Sequence, residues 1–152
     1  MRPMVWKPNV TVAAVVEREG RFLLVEEDTA HGRLFNQPAG HLESGESLTD
    51  AVARETLEET AHAFKPTALL GVYTYHHERD GVTYLRFAFT GEILSHDPGR
   101  ALDAGIVRAA WLAPPEIRRD AARHRSPLVM RCVDDYLAGR RYPLDVLYHY
   151  AN

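Results

Sequence analysis

Apolar and polar positions follow two different periods along this chain, and the changes from one to the other mark its elements. Residues 10–16 are β-branched and apolar, 17–20 read as a turn and 21–26 are apolar again, which predicts an opening hairpin. A polar stretch, EDTAHG, follows, then a short extended piece at 34–38 and a loop bearing glycines. The next segment changes to helical spacing: a helix capped by Ser47 places positions 48, 51, 52, 55, 58 and 59 along one stripe. After Pro66, residues 68–75 and 82–94 read as two strands joined by the HHERDG turn, and 107–112 as the last strand. Pro114 and Pro115 open a second helix that runs through Ala122, and a third spans 127–137 with Gly139 at its end. Strands and helices mixed in this order predict an α/β fold with a central mixed β-sheet covered by helices on both faces.

The stripe of the first helix starts apolar, with Leu48, Ala51 and Val52, and ends acidic, with Glu55, Glu58 and Glu59. The acids therefore continue the face that packs inward. Each like-charge neighbour one turn away costs roughly 0.2–0.5 kcal/mol, and the second half of a helix already disfavours anions. Nothing structural repays this arrangement, whereas hard divalent cations, which take oxygen ligands, do so directly. Arg54 can reach Glu58 one turn later and hold its orientation. Ahead of the helix, Pro38, Gly40 and Gly45 let the chain turn sharply and bring backbone carbonyls close to the acids. Clustered carboxylates beside such a loop suit two or more magnesium ions that bridge phosphate oxygens and activate water for in-line displacement.

The order Gly40, five residues, Glu46, seven residues, Arg54, Glu55, two residues, Glu58, Glu59 resembles the Nudix box of the Nudix hydrolases. The resemblance implies an α/β/α sandwich formed by residues 1–152 as one domain, and a Mg2+ cofactor with Mn2+ as the alternative ion. It implies a metal set of Glu55, Glu58, Glu59 and the carbonyl of Ala39. Glu55, Glu58 and Arg54 are the catalytic candidates, with Glu55 able to take a proton from metal-bound water; Glu46 would organise the loop and the helix start. Downstream acids that could serve as the base instead are Glu92, Asp97 and Asp103, with Glu92, read as following a strand, the first choice. Two positions depart from the family pattern: Thr56 replaces an aliphatic residue, and Ala61 the glycine that ends the helix. Without that glycine a left-handed cap is less favourable, so the helix is expected to continue toward Ala63 and stop at Lys65 and Pro66. The run NQPAGHLE, with RSPL at 125–128 and RYPL at 141–144, is similar to the NudJ-type phosphatases of that family over nearly the whole chain. That similarity implies hydrolysis of thiamine pyrophosphate, hydroxymethylpyrimidine pyrophosphate and nucleoside di- and triphosphates. The alternatives are a nucleoside triphosphate pyrophosphohydrolase, an ADP-ribose or dinucleotide hydrolase, and a non-catalytic binding module, which should lack a box carboxylate.

Outside the box, an inward Arg86 in the apolar run YLRFAF needs an anion or a partner, which makes it a candidate phosphate contact. Asn36 and Gln37, at the mouth of the glycine loop, are candidates for hydrogen bonds to a base or pyrimidine ring. His76 and His77 are adjacent, point to opposite faces of a strand and do not readily share a metal. Phe35, Tyr75 and Trp111 read as core aromatics, the first two with a second possibility of stacking on a ligand ring. RRDAARHR reads as a solvated helix face, and Tyr142 and Pro143 as pins for the tail.

The bulk properties narrow the classes further. At 152 residues the chain can bury one core. Its net charge of −3, with both signs interspersed, gives no footprint for nucleic acid or an anionic membrane, so a small phosphorylated molecule is the expected partner. There is no long apolar run, MRPMVWKPN lacks the apolar centre of a signal peptide, and the lone Cys132 permits no internal disulfide. A reducing, cytoplasmic setting is the expectation; the pattern carries no sign of an oligomeric state.

Overall fold

In the computed structural model, which describes residues 2–151, the alternation of periods becomes eight strands and three α-helices. The strands are β1 (Asn9–Ala14), β2 (Glu17–Arg18), β3 (Arg21–Thr29), β4 (Gly32–Asn36), β5 (Ala39–His41), β6 (His62–His77), β7 (Val82–His96) and β8 (Ile106–Leu112). The helices are α1 (Leu48–Thr60), α2 (Pro114–Arg119) and α3 (Leu128–Leu137). The mixed sheet is divided in two. One sheet has the order β5-β1-β7-β6, with β1 parallel to β7 and the other pairs antiparallel. In the other, β3 pairs antiparallel with β2, β4 and β8.

The expected opening hairpin is replaced by a change of sheet. The Val15 N–H donates to Phe89 O in the first sheet at 2.7 Å, and the next residue, Val16, accepts from Leu23 N–H in the second at 3.1 Å. Only Glu17 and Arg18 turn back on β3. The physical reason lies in the unbroken burial of residues 12–16: a run buried on both faces belongs between two layers, where a hairpin with one wet face has no place for it. Alternate side chains of this run divide the core. Val12, Ala14 and Val16 pack with Ala51 and Val52 of α1 and with Phe89, while Ala13 and Val15 pack with Val129, Cys132 and Val133 of α3. This places one helix on each side of the sheet. Among the described residues, no helix is long and apolar enough to cross a membrane.

Helix α1 begins where the sequence placed it, with the Ser47 hydroxyl accepting from Asp50 N–H at 3.1 Å. Its end differs. The helix stops at Thr60, and Ala61 adopts the left-handed conformation, φ 57°, while its N–H bonds Leu57 O at 2.9 Å. Lys65 and Pro66 lie inside β6, where a bulge opposite Gly91 accommodates the proline on an edge strand. Local bonds hold this stop: Thr60 Oγ1 donates to Thr56 O at 2.6 Å, and the His62 ring caps Thr60 O at 2.7 Å while stacking on His96 at 4.0 Å. Thr56, fully buried in place of an aliphatic residue, spends its hydroxyl on Val52 O at 2.7 Å. The tail is pinned by Tyr142, whose N–H and C=O both pair with Leu69. Trp111 is partly buried beside the α1 core, with Arg18 4.2 Å from its ring centroid.

A left-handed alanine costs about 1–2 kcal/mol, but its buried methyl returns about 0.8 kcal/mol. Ala61→Gly is therefore expected to change stability by no more than about 1 kcal/mol. Ala61→Val, a β-branched residue in the same conformation, is expected to cost about 2–3 kcal/mol. Urea denaturation of the two variants checks both values.

Candidate active site

The acidic end of α1 is organised by one guanidinium. Arg54 donates to both oxygens of Glu46, at 2.7 and 3.0 Å, and to Glu55 at 2.9 Å, Glu58 at 3.2 Å and the carbonyl of His41 at 3.1 Å. Glu46 also accepts the Glu43 N–H at 3.1 Å, so it ties the loop to the helix as the sequence suggested. Arg54 is the chief reason that the Glu46 carboxyl is held below its ordinary pKa.

Glu55 and Glu59 are pushed the other way. Burial raises the Glu55 pKa although Arg54 opposes the shift. Its carboxylate lies against the Cα of Gly40, so close that a Cβ there would sit 2.1 Å from Glu55 Cδ. A side chain at this position would displace the Glu55 carboxylate from its seat. Glu59 is 9 % exposed, accepts the Ala39 N–H at 2.9 Å, and is raised to a pKa of about 8 by burial and by the nearby carboxylates of Glu27, Glu55 and Asp103. The loop after β7 supplies Asp103. Its N–H bonds Glu58 O at 3.0 Å, and carboxylate oxygens of Glu55, Glu58 and Asp103 lie within 4.8 Å of one another.

These donors fit a hard divalent cation. They are all oxygens, several are buried, and the single guanidinium among them leaves an excess of negative charge. Ala39 can add its carbonyl: an extended residue directs N–H and C=O to the same strand edge, and its N–H faces Glu59. Glu92, the downstream acid favoured from sequence, does not join the group. It lies within β7, exposed and opposite Lys65, because the strand continues to His96.

Glu55 and Glu59, with Glu27 and Glu43, form one wall of a cleft of about 510 Å3. Arg86 and Asn36 line another part, whereas Gln37 does not meet the space expected of it. It is 1 % exposed, donates to Val129 O at 2.7 Å and accepts from Arg86 Nη1 at 2.9 Å, so it positions the arginine. Asn36 Oδ1 takes a second N–H of Arg86 at 2.9 Å. Arg86 itself is 6 % exposed, and its oxygen partners are the neutral amides of Asn36 and Gln37, which leaves its charge uncompensated at the cleft wall.

Among the aromatic candidates, Tyr75 lines the cleft, while Phe35 is in the core beneath Arg123, 4.7 Å from its ring centroid. His77 faces the cleft, and His76 turns away to bond Thr83 Oγ1 at 2.9 Å. The run RRDAARHR is mostly exposed, but the helix breaks at Arg119 and three of its arginines are paired. Arg118 pairs with Asp134, Arg123 with buried Glu26, and Arg125 with Glu27 at 2.6 Å. The sequence reading missed Glu27, His31, Tyr84 and Ser126 as cleft residues. Continuing the period of two from Val25 would have set Glu27 on a strand; the polar run EDTAHG instead read as loop, although β3 runs to Thr29.

The raised pKa of Glu59 has a thermodynamic consequence. Because its folded value of about 8 lies above the ordinary 4.5, folding disfavours its charged form. The resulting destabilisation is fully present above pH 8 and vanishes as pH falls toward 4.5. Glu59→Gln is therefore expected to gain on the order of 2–4 kcal/mol over wild type at about pH 9 and less than about 1 kcal/mol at about pH 5. Denaturation at the two pH values measures the difference; an equal gain at both would contradict the assignment.

Comparison with known proteins converges on one family. Residues 6–132 match the NUDIX domain. The chain is 41% identical over 142 residues to Phosphatase NudJ of Escherichia coli (strain K12), covering 93% of this chain and 92% of that protein. Among solved structures, a NUDIX hydrolase from Nitrosomonas europaea superposes with a TM-score of 0.93 and 56% identity, covering 95% of this chain and 98% of that one. A MutT NUDIX hydrolase from Burkholderia pseudomallei, at 21% identity, covers 86% of this chain and 98% of its own with a TM-score of 0.74, and shares the fold. With its acid-bearing helix, glycine approach and sandwich layers, the chain belongs to the Nudix hydrolases, enzymes that act on phosphoanhydride bonds.

Proposed function

We propose that this enzyme is a magnesium-dependent phosphatase that removes phosphate from small diphosphates and triphosphates. In this reading it acts on thiamine pyrophosphate, hydroxymethylpyrimidine pyrophosphate and nucleoside di- and triphosphates, in the cytoplasm. The carrying observation is the gathering of Glu55, Glu58 and Asp103 oxygens within 4.8 Å beside buried Glu59. Glu55, Glu58 and Glu59, with the Ala39 carbonyl, would hold Mg2+, or Mn2+ in its place. The bound ions would neutralise phosphate charge and lower the pKa of water. The protein groups divide the remaining work. Arg54 fixes Glu55 and Glu58 in one orientation through its bonds at 2.9 and 3.2 Å. Glu55, whose burial makes it more basic than an ordinary carboxylate, takes the proton of the attacking water. Asp103 is close enough to share that role. Arg86 meets an anionic oxygen of the substrate, and Asn36 keeps its amide nitrogen available for a ring acceptor.

Two experiments test this reading. In a panel of the named compounds with ADP-ribose, wild type is expected to release orthophosphate from the thiamine-related diphosphates only with magnesium, and EDTA should abolish release. Glu58→Gln should lower kcat by about a thousandfold. Pyrophosphate release from triphosphates alone would identify a different hydrolase, and no turnover at all would make the protein a binding module. Separately, Gly40→Ala forces the Glu55 carboxylate out of its seat and should lower kcat by about a hundredfold with an unchanged circular dichroism spectrum.

A further inference from the structure

Beyond the mouth of the cleft lies an open groove of about 640 Å3. His31, Leu34, Tyr75, His77 and Arg125 belong to the walls of both, so the two spaces are continuous. Their charge balance differs. Glu27, Glu43, Glu55, Glu59 and Asp80 line the inner cleft together with Arg86, whereas the groove adds His76, Arg79 and His124, with Glu78 as its added carboxylate and Asp80 against the shared His31 and His77.

The hydrogen bonds leave Arg79 and His77 with donors to offer in this groove. The Arg79 guanidinium lies 3.0 Å from His31 Nδ1 and pairs with no carboxylate among the described residues. Guanidinium cannot accept, so His31 Nδ1 does, and its Nε2–H faces Asp80 Oδ1 at 3.3 Å. His77 Nδ1 accepts the Asp80 N–H at 3.2 Å, which places the ring proton on Nε2. His124 Nε2 donates to Ile117 O at 2.8 Å, so its Nδ1 is an acceptor and adds no donor for an anion. Arg125 is largely satisfied by Glu27 at 2.6 Å, so Arg79 is the cation with charge to spare. At the junction, Tyr75 and His77 stand nearly perpendicular, 84° apart with centroids at 6.1 Å, and form a corner for a flat ring.

We propose that this groove is a second subsite, which binds a phosphate group carried by the substrate at a distance from the diphosphate. The substrate class it adds is a nucleoside diphosphate bearing a further phosphate on the ribose. The assignment rests on the hydrolase reading for the position of the diphosphate. The groove alone accounts for the distal anion.

The test compares ADP with 3′-phosphoadenosine 5′-diphosphate, which differ by one distal phosphate, in steady-state hydrolysis by wild type, Arg79→Ala and Arg79→Lys. Wild type is expected to show a KM about tenfold lower for the bisphosphorylated compound. Arg79→Ala should abolish that preference and leave ADP kinetics within about twofold, Arg79→Lys should restore part of it, and added salt should close the gap. Equal KM values in wild type, or an Arg79→Ala effect that falls equally on both compounds, overturns the proposal. Calorimetric binding of the same pair separates the two readings: a preference that depends on Arg79 without turnover supports the subsite while the hydrolase reading fails. Tighter binding of a short 5′-triphosphorylated RNA, weakened more strongly by Arg79→Ala, would assign the groove to nucleic acid and overturn the small-molecule proposal.

Discussion

The guanidinium of Arg54 is the contact on which the site depends. It reaches across a loop and along a helix at once, binding Glu46 in a bidentate pair, Glu55 and Glu58 through one nitrogen, and the His41 carbonyl through another. Planar, forked donors make such sharing possible, and a lysine could not repeat it. One guanidinium cannot neutralise three carboxylates. It orders them and leaves an excess of negative charge for a divalent cation, which is the difference between an ion-pair network that stabilises a helix and one that prepares a site.

The fold supplies what Arg54 cannot. Strand β1 divides its side chains between two cores, so that α1 is seated on one face and α3 on the other. The short β5 lies on the edge of the same sheet, paired with β1. That edge leaves the Ala39 N–H free to meet Glu59 and brings Gly40 under Glu55. The position of the acids is thus fixed from beneath by backbone and from the side by arginine, and neither element is a flexible loop.

What the sequence disclosed and what it concealed follow from the range of the forces involved. The Ser47 cap, the acidic stripe and the Arg54–Glu58 pair are contacts within a few residues, and local spacing reveals them. The left-handed Ala61 was hidden because backbone preference alone argues against it; the tertiary stacking of His62 on His96 and the bonds of Thr60 overrule that preference. Likewise, Val10–Val16 and the next apolar run look like hairpin partners until burial on both faces is known. The choice of Glu92 over Asp103 failed for a related reason. Glu92 falls inside the strand, exposed, and Asp103 reaches α1 through a loop tied by its N–H bond to Glu58 O, a contact between residues far apart in the chain. Gln37 read as a ligand contact because its amide is versatile, yet it lies behind Arg86.

Opposite charges held apart in one cleft set the terms for any ligand. Burial among other acids raises the Glu59 pKa to about 8, and Arg86 is held by neutral amides. Arg54 bonds Glu55 and Glu58 but not Glu59, and Arg86 holds Asn36 and Gln37. Desolvated charges without partners are costly and become favourable once their complements arrive. A ligand that carries cations to the acid wall and an anionic group to Arg86 satisfies both ends in one event. A neutral molecule of the same shape satisfies neither. The charge arrangement of the cleft is therefore suited to phosphate compounds accompanied by cations.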